Sequence, residues 1–166
     1  MRILGVDPGT HRLGYGIVEV DGPERRCLDW GCLHAKRTDA IEQRLHHLHR
    51  GLVEVVARWN PDHLAVEEPF VDPKHGSKTA VAIGQAQALA LIVAAGAGMA
   101  IHRYAPRQVK RAIADYGGSG KAQLQRALRL LLTLPDAPME EDTSDALAVA
   151  LCHVQHWRTL QKVSGL

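Results

Sequence analysis

Four acidic residues stand at points of the sequence where their carboxylates could act together. Asp7 directly follows the short apolar run I-L-G-V, and Glu67 directly follows another, L-A-V. Asp142 and Asp145 are three positions apart at the start of a helical pattern, which puts both carboxylates on one helix face. Because a buried apolar run borders each acid, we expect all four to face the edge of the core.

Carboxylates that converge repel one another unless divalent cations lie between them. Hard oxygen ligands suit Mg²⁺ or Mn²⁺, and two such ions about 3.5–4 Å apart can activate a water and stabilise the leaving oxygen of a phosphodiester. A purely structural interpretation is also open, since Asp7 could begin the Pro8-Gly9 turn. Asp142 could likewise cap a helix, with Asp145 favoured by the helix dipole. The four acids taken together favour the metal site.

Three strand-like runs on short, turn-rich connections open the chain, at residues 2–7, 13–20 and 27–35. Such a series predicts an antiparallel meander. A fourth strand is predicted at residues 63–67. If it lies parallel to the first strand, Asp7 and Glu67 meet at the carboxyl edge of the sheet, where ligand sites of α/β proteins form.

Helical periodicity follows the meander and then alternates with strands. A helix is predicted over residues 40–59, with Asp39 placed to cap it and Asn60 placed to end it. The remaining elements are helices near residues 79–95, 106–115, 120–132 and 142–157, and a strand near residues 99–104. The pattern predicts an α/β fold with a mixed five-stranded sheet flanked by helices. Its 166 residues predict one domain, spanning residues 1–166.

Composition restricts the location of the protein more than its chemistry. The net charge of +2 identifies no partner, and three cysteines without a CxxC pair argue against a disulfide framework. A reducing cytoplasm is therefore the predicted setting. Residues 79–101 carry no charge over a length that could span a membrane. Their Ala and Gly content, with Gln85 and Gln87, instead predicts a soluble helix and no membrane contact, and the N-terminus has no signal-peptide pattern.

Six short motifs resemble those of one nuclease family. In order along the chain they are D-P-G-T, G-Y-G, A-V-E-E-P-F, G-Q-A-Q, A-P-R-Q-V-K and D-T-S-D-A-L-A-V-A. Together they resemble the RuvC family of crossover junction endodeoxyribonucleases. The resemblance implies a ribonuclease H-like fold, a homodimer, and Mg²⁺-dependent cleavage of four-way (Holliday) DNA junctions in recombination and repair. It also implies 5′-phosphate products and the branch-migration partners RuvA and RuvB.

The same resemblance implies roles for the four acids. Asp7, Glu67, Asp142 and Asp145 fall on the family's four acidic, metal-binding catalytic positions, with two Mg²⁺ ions expected per site and Mn²⁺ able to substitute for them. The chain departs from many relatives by having Glu68, an acid, after Glu67. Strand position favours Glu67 as the ligand.

Basic residues are concentrated between Arg103 and Arg129, where the chain has seven of them and one acid. They are Arg103, Arg107, Lys110, Arg111, Lys121, Arg126 and Arg129, against Asp115. Such an excess beside carboxylates suits a protein that binds a phosphate backbone. Lys110 and Lys121 also fall on basic positions resembling the family's DNA contacts. Arg126 and Arg129 could equally form the solvated face of a helix.

Further candidate DNA contacts are Phe70, Lys78, Arg107 and Gln108. Phe70 is the only phenylalanine of the chain and lies in a Pro-bounded loop. It could belong to the core, or it could stack on an unpaired base, an interaction worth about 1–3 kcal/mol. The family places an aromatic residue here. Arg107 and Gln108 could reach phosphates or base edges, and the sequence does not distinguish these.

The Ala-rich helix predicted near residues 79–95 is a candidate dimer interface, because small residues allow close approach; it could also pack only against its own sheet.

Three other functions remain open from the sequence. D-P-G-T with G-Y-G also resembles the phosphate loop of actin-like ATPases, although those proteins need two such lobes. The others are a non-catalytic junction-binding module and a ribonuclease of the same fold.

Overall fold

The computed structural model describes residues 1–68, 76–114 and 120–164. Its elements, in chain order, are β1 (Arg2–Asp7), β2 (Arg12–Asp21), β3 (Glu24–His34), α1 (Ile41–Trp59), β4 (His63–Glu67), α2 (Gly76–Gly96), β5 (Ala100–Tyr104), α3 (Pro106–Ala114), α4 (Lys121–Leu132) and α5 (Glu141–Ser164). Every predicted strand and helix is present, with ends that shift by a few residues. The largest change is at α5, which continues beyond the predicted end at residue 157.

One sheet joins all five strands in the order β3-β2-β1-β4-β5. β1, β2 and β3 pair antiparallel along the chain, which confirms the predicted meander. β4 pairs with β1 in parallel, and β5 pairs with β4 in parallel. The α/β fold with a mixed five-stranded sheet is therefore confirmed. The parallel β1–β4 pair is the relationship that brings the ends of these two strands side by side.

Alternation along the strands divides the core between the two faces of the sheet. Ile3 and Ala65 point to a cluster completed by α3, α4 and α5. Leu4, Val6 and Leu64 point to the opposite cluster, which α1 and α2 cover. This is the period-2 pattern of strands buried on both faces. It explains why β1 and β4 read as almost continuous apolar runs.

Glycines let α5 lie directly on the sheet. A Cβ atom on Gly5 would collide with the carbonyl oxygen of Ala146, and one on Gly14 would collide with the carbonyl oxygen of Asp142. Because Gly14 pairs with Asp7 across β1 and β2, the first turn of α5 lies above the end of β1. The missing side chains on the strands thus fix where the helix begins relative to the site.

The start of α1 corrects one prediction. The capping position is Ala40, in extended conformation and without a side-chain cap, and not Asp39. Asp39 instead belongs to a preceding turn, in which its backbone N–H donates to the carbonyl of Lys36. Because of that turn the helix begins one residue later than predicted, and Asp39 is no longer at the capping position. The predicted end is confirmed: Asn60 is left-handed, with φ of 45°, and its N–H donates to Val56.

The uncharged segment forms α2 and then β5, as predicted. Within the part of the chain that the structure describes, no helix combines the length and the apolar character needed to cross a bilayer.

Candidate active site

The four predicted acids meet at one edge of the sheet. Asp7 is the last residue of β1 and Glu67 the last residue of β4. The two strands run parallel in the register Val6 to Val66, so both carboxylates leave the sheet at the same end. Asp142 and Asp145 reach this edge from the first turns of α5. The structure therefore assembles in space the set that the sequence singled out.

Mutual repulsion and burial dominate the electrostatics of Asp7. Burial, and after it the neighbouring carboxylates in the order Asp145, Asp142, Glu67 and Glu141, together raise its pKa from the ordinary 3.8 to about 7. A carboxylate with such a pKa is one whose ionised form lacks a compensating positive charge. A bound cation would supply that charge and return Asp7 to its ionised form.

The pKa values of Glu67 and Asp145 are also raised. Burial raises the pKa of Glu67, Asp145 raises it further, and Lys110 opposes the shift. Burial also raises the pKa of Asp145, with Glu141 and Asp142 adding to it and Lys121 opposing. Burial and neighbouring carboxylates thus disfavour the ionised forms of Glu67 and Asp145, and Lys110 and Lys121 are the cations that oppose this.

Asp142 keeps one oxygen without a hydrogen bond. Its Oδ2 lies 3.1 Å from Nε of Arg12. The N–H bond does not point at the oxygen, however, so this is an ion pair only, and the buried Oδ2 has no hydrogen-bond partner. Buried polar atoms are rarely left in this state. Four carboxylates, one of them with a buried oxygen that accepts no hydrogen bond, are a donor set that fits hard divalent cations.

The acids are not drawn into a tight cluster. In the described residues, two groups of three ligand-type side chains have their ligand atoms within 4.8 Å of one another, and neither group includes these acids. Like charges at such a site are expected to stay apart. The four carboxylates therefore lie at the same edge of the sheet, but their oxygens do not converge on a single point.

A cavity of about 360 Å³ opens beside the acids. Its lining includes Glu67, Asp145, Lys110 of α3 and Lys121 of α4. Lys121 forms an ion pair with Glu141, so a phosphate that contacts Lys121 must compete with that carboxylate. The lining of the cavity thus combines carboxylates with lysine cations, a composition that suits a phosphodiester.

The other predicted DNA contacts differ in where they lie. Arg107 and Gln108 are both exposed on α3. Gln108 already has a structural role, because its Oε1 accepts a hydrogen bond of 2.8 Å from the backbone N–H of Ala105 at the start of the helix. Phe70 lies outside the described residues, and so does the side chain of Lys78.

Sequence reasoning missed three residues that shape this site. Arg12 pairs with Asp142, and Glu141 adds negative charge next to it. Buried Gln87 of α2 donates a hydrogen bond of 3.0 Å to the carbonyl of Glu67, which holds the end of β4. The polar side chain of Gln87 within an apolar helix was the available signal. Glu68 is exposed whereas Glu67 is half-buried, which places Glu67 in the acidic group.

Comparison with known proteins identifies the family of this chain. Residues 3–153 match the family model described as crossover junction endodeoxyribonuclease RuvC. The chain belongs to the RuvC family. Among its curated RuvC relatives, that of Pelotomaculum thermopropionicum is 40% identical over 98% of both chains. The RuvC of Dehalococcoides mccartyi is 43% identical over 94% of this chain and 93% of the relative. The resemblance noted in the sequence is thereby confirmed.

Solved structures show the same RuvC architecture. The chain is similar to T. thermophilus RuvC in complex with Holliday junction substrate, with a TM-score of 0.86 and 32% identity over 96% of each chain. The yeast mitochondrial Holliday junction resolvase Ydc2 shares the fold, with a TM-score of 0.65 at 12% identity, over 97% of this chain and 83% of Ydc2. The ribonuclease H-like fold expected from the resemblance thus agrees with experimental structures of RuvC-like resolvases.

Proposed function

We propose that this RuvC-family protein is a Holliday junction resolvase that hydrolyses one phosphodiester in each of two symmetry-related strands of a four-way DNA junction. The observation that carries the proposal is the meeting of Asp7, Glu67, Asp142 and Asp145 at the carboxyl edge of β1 and β4. The similarity to T. thermophilus RuvC, which was solved with a Holliday junction substrate, supports the substrate class.

Mg²⁺ is the cofactor that these residues fit best, with Mn²⁺ as a substitute. Asp7, Glu67, Asp142 and Asp145 would hold two ions between them, since they offer only hard oxygen ligands. Ions held by these four carboxylates would supply Lewis-acid activation of water and stabilisation of the leaving 3′-oxygen, which would give 5′-phosphate products. The chain needs no nucleophile of its own.

The protein side chains position the strand for this reaction. Lys110 and Lys121 line the cavity and would bind the phosphates next to the scissile bond. Gln87 holds the backbone of Glu67, and the close packing of α5 on Gly14 holds Asp142. Both contacts limit movement of carboxylates that repel one another, which preorganises the site.

A homodimer would present one site to each strand of like polarity. The inner face of α2 packs on its own sheet through residues such as Ala90 and Val93. Its outer face leaves Val81 and Ile92 exposed by 59% and 64%. We propose that this outer face forms the dimer contact. Assembly with RuvA and RuvB is proposed from family membership alone.

A nicking assay on a synthetic mobile four-way junction tests the function. Linear duplex, single strand and an RNA–DNA hybrid serve as competing substrates, with Mg²⁺ or with chelator. Paired cuts are expected on the junction alone, only with metal, and lost in Asp7→Asn while binding persists. Asp21→Asn is the matched control, because Asp21 is the exposed acid at the opposite end of β2.

The alternatives give different results in the same assay. Preferential cutting of the hybrid would identify a ribonuclease. Tight junction binding without cuts, across several junction sequences and both metals, would identify a binding module and overturn the proposed function.

A further inference from the structure

A second group of ligand-type side chains lies away from the carboxylates. One ring nitrogen of each of His63, His102 and His153 lies within 4.8 Å of the other two. His63 is the first residue of β4, so it lies at the opposite end of that strand from Glu67. His153 follows Asp145 on α5 by eight residues, or about 12 Å along the helix axis. We call these three residues the histidine cluster.

The three rings are close and only partly hydrogen-bonded. His63 Nδ1 lies 2.9 Å from His153 Nε2, and the hydroxyl of Tyr104 lies 2.6 Å from His153 Nδ1. The rings of His63 and His102 stack with centroids 5.0 Å apart. The buried Nε2 of His102, however, has no hydrogen-bond partner. Most buried polar atoms are hydrogen-bonded, so this nitrogen is available to a ligand.

The imidazoles are in the neutral form that binds metals. His153 is fully buried, and burial together with the neighbouring histidines lowers its pKa to about 3. Burial also lowers the pKa of His63 and of His102. Neutral imidazole is a ligand for transition metals. Binding near neutral pH therefore needs no net release of a proton, because the hydrogen between His63 Nδ1 and His153 Nε2 can move to the other nitrogen of its own ring.

We propose that the histidine cluster binds one borderline transition-metal ion, of which Zn²⁺ is the favoured example, through three imidazole nitrogens and a water. Ligands of a tetrahedral site with Zn–N distances of about 2.0–2.1 Å lie about 3.3 Å apart. The 2.9 Å between His63 and His153 therefore needs only a small opening. The Tyr104 hydroxyl, 2.6 Å from His153 Nδ1, can accept a hydrogen bond from Nδ1–H in the tautomer that offers Nε2 to the ion.

Such an ion would join β4, β5 and α5 at the end of the sheet away from the cavity. Two of these elements carry Glu67 and Asp145. The ion would therefore stabilise the scaffold of the acidic site without touching the reacting phosphate. The two sites also select different metals, since imidazole suits zinc whereas carboxylate oxygens suit Mg²⁺.

Metal binding by the full chain tests the proposal without any nuclease measurement. The protein is purified with chelator, and Zn²⁺ alone is then added. We expect one zinc per chain to remain after dialysis. Zn²⁺ at 100 times its dissociation constant should raise the Tm by about 5–10 °C. Co²⁺ in place of zinc should give the visible absorption bands of tetrahedral coordination.

Variants assign the ion to one site or the other. His63→Gln and His102→Gln are expected to weaken zinc binding at least about 100-fold and to remove the cobalt bands. The double variant His46→Gln/His47→Gln, on the exposed face of α1, should retain zinc binding and the cobalt bands. Asp145→Asn should retain them as well. The zinc-dependent change in Tm of each variant is measured against the same variant in chelator, so a lower stability of the metal-free variant does not obscure the result.

Two results would overturn the proposal. One is the absence of any zinc-dependent shift in the wild type, which would leave the cluster as a buried histidine network. The other is a shift that survives His63→Gln or disappears in Asp145→Asn, which would place the ion at the carboxylates. Neither result bears on junction cleavage, so failure here is separate from failure of the proposed function.

Discussion

Gly14 lies directly beneath the backbone of Asp142, so close that a methyl group on Gly14 would overlap the Asp142 carbonyl oxygen. Gly14 also pairs with Asp7 across the β1–β2 ladder. A single residue without a side chain thus sets the spacing between a strand-end carboxylate and the helix that carries two others. This contact connects backbone packing to the geometry of the acidic site.

Gly14→Ala should therefore damage activity beyond its effect on folding. Overpacking costs about 1–3 kcal/mol, and α5 must move away from β2 to relieve the collision. We expect a lower Tm and a loss of nicking of at least about tenfold at temperatures where the variant is folded. Gly96→Ala is the control, since a Cβ there meets nothing within 4 Å. Full activity of folded Gly14→Ala would contradict this role.

Asp7 should make the metal-free protein less stable as the pH rises. Its folded pKa of about 7 lies above the ordinary 3.8, so the folded state holds a proton that the unfolded state releases between these values. The free energy of unfolding should fall by up to about 4 kcal/mol across that range. Denaturant titrations in chelator from pH 4 to 8 measure this.

Asp7→Asn should flatten that pH dependence and stabilise the metal-free protein near pH 7. Saturating Mg²⁺ should have a similar effect on the wild type, since a cation favours the ionised carboxylate. Asp21→Asn, at the far end of β2, should retain the wild-type profile. An unchanged slope in Asp7→Asn would show that Asp7 is not the group responsible.

Lys110 and Lys121 should act on DNA binding through charge. Removal of either one is expected to weaken junction affinity and to reduce the slope of log Kd against log salt by about one. Binding is measured in the Asp7→Asn background with chelator, so that no cutting occurs. Arg50→Ala, an exposed substitution on α1, should leave the slope unchanged. Identical slopes for Lys110→Ala and wild type would remove Lys110 from the interface.

Ile92 should control the oligomeric state. Ile92→Asp places a charge on the outer face of α2, where Ile92 is 64% exposed, and burial of that charge in a dimer is costly. Sedimentation should show a dimer for wild type at micromolar concentration and a monomer for the variant, with paired nicks replaced by independent ones. Leu130→Asp, on α4 and 78% exposed, should stay dimeric. A monomeric wild type would contradict the dimer proposal itself.

The sequence alone predicted the elements and the four acids because these depend on local information. Alternation of apolar residues identified the strands that end at Asp7 and Glu67, and helical spacing put Asp142 and Asp145 on one face. The structure shows these acids meeting at one edge of the sheet. Their catalytic role, the single domain and the cytoplasmic location stay predictions.

Tertiary structure decided everything that depends on which distant side chains meet. The pair of Arg12 with Asp142 spans most of the chain, and the engagement of Lys121 by Glu141 joins two helices. His63 and His153 are separated by 90 positions, and no spacing rule connects them. Their meeting follows from the register of β4 and from the packing of α5 on the sheet. Local patterns do not encode such contacts, because the core as a whole determines them.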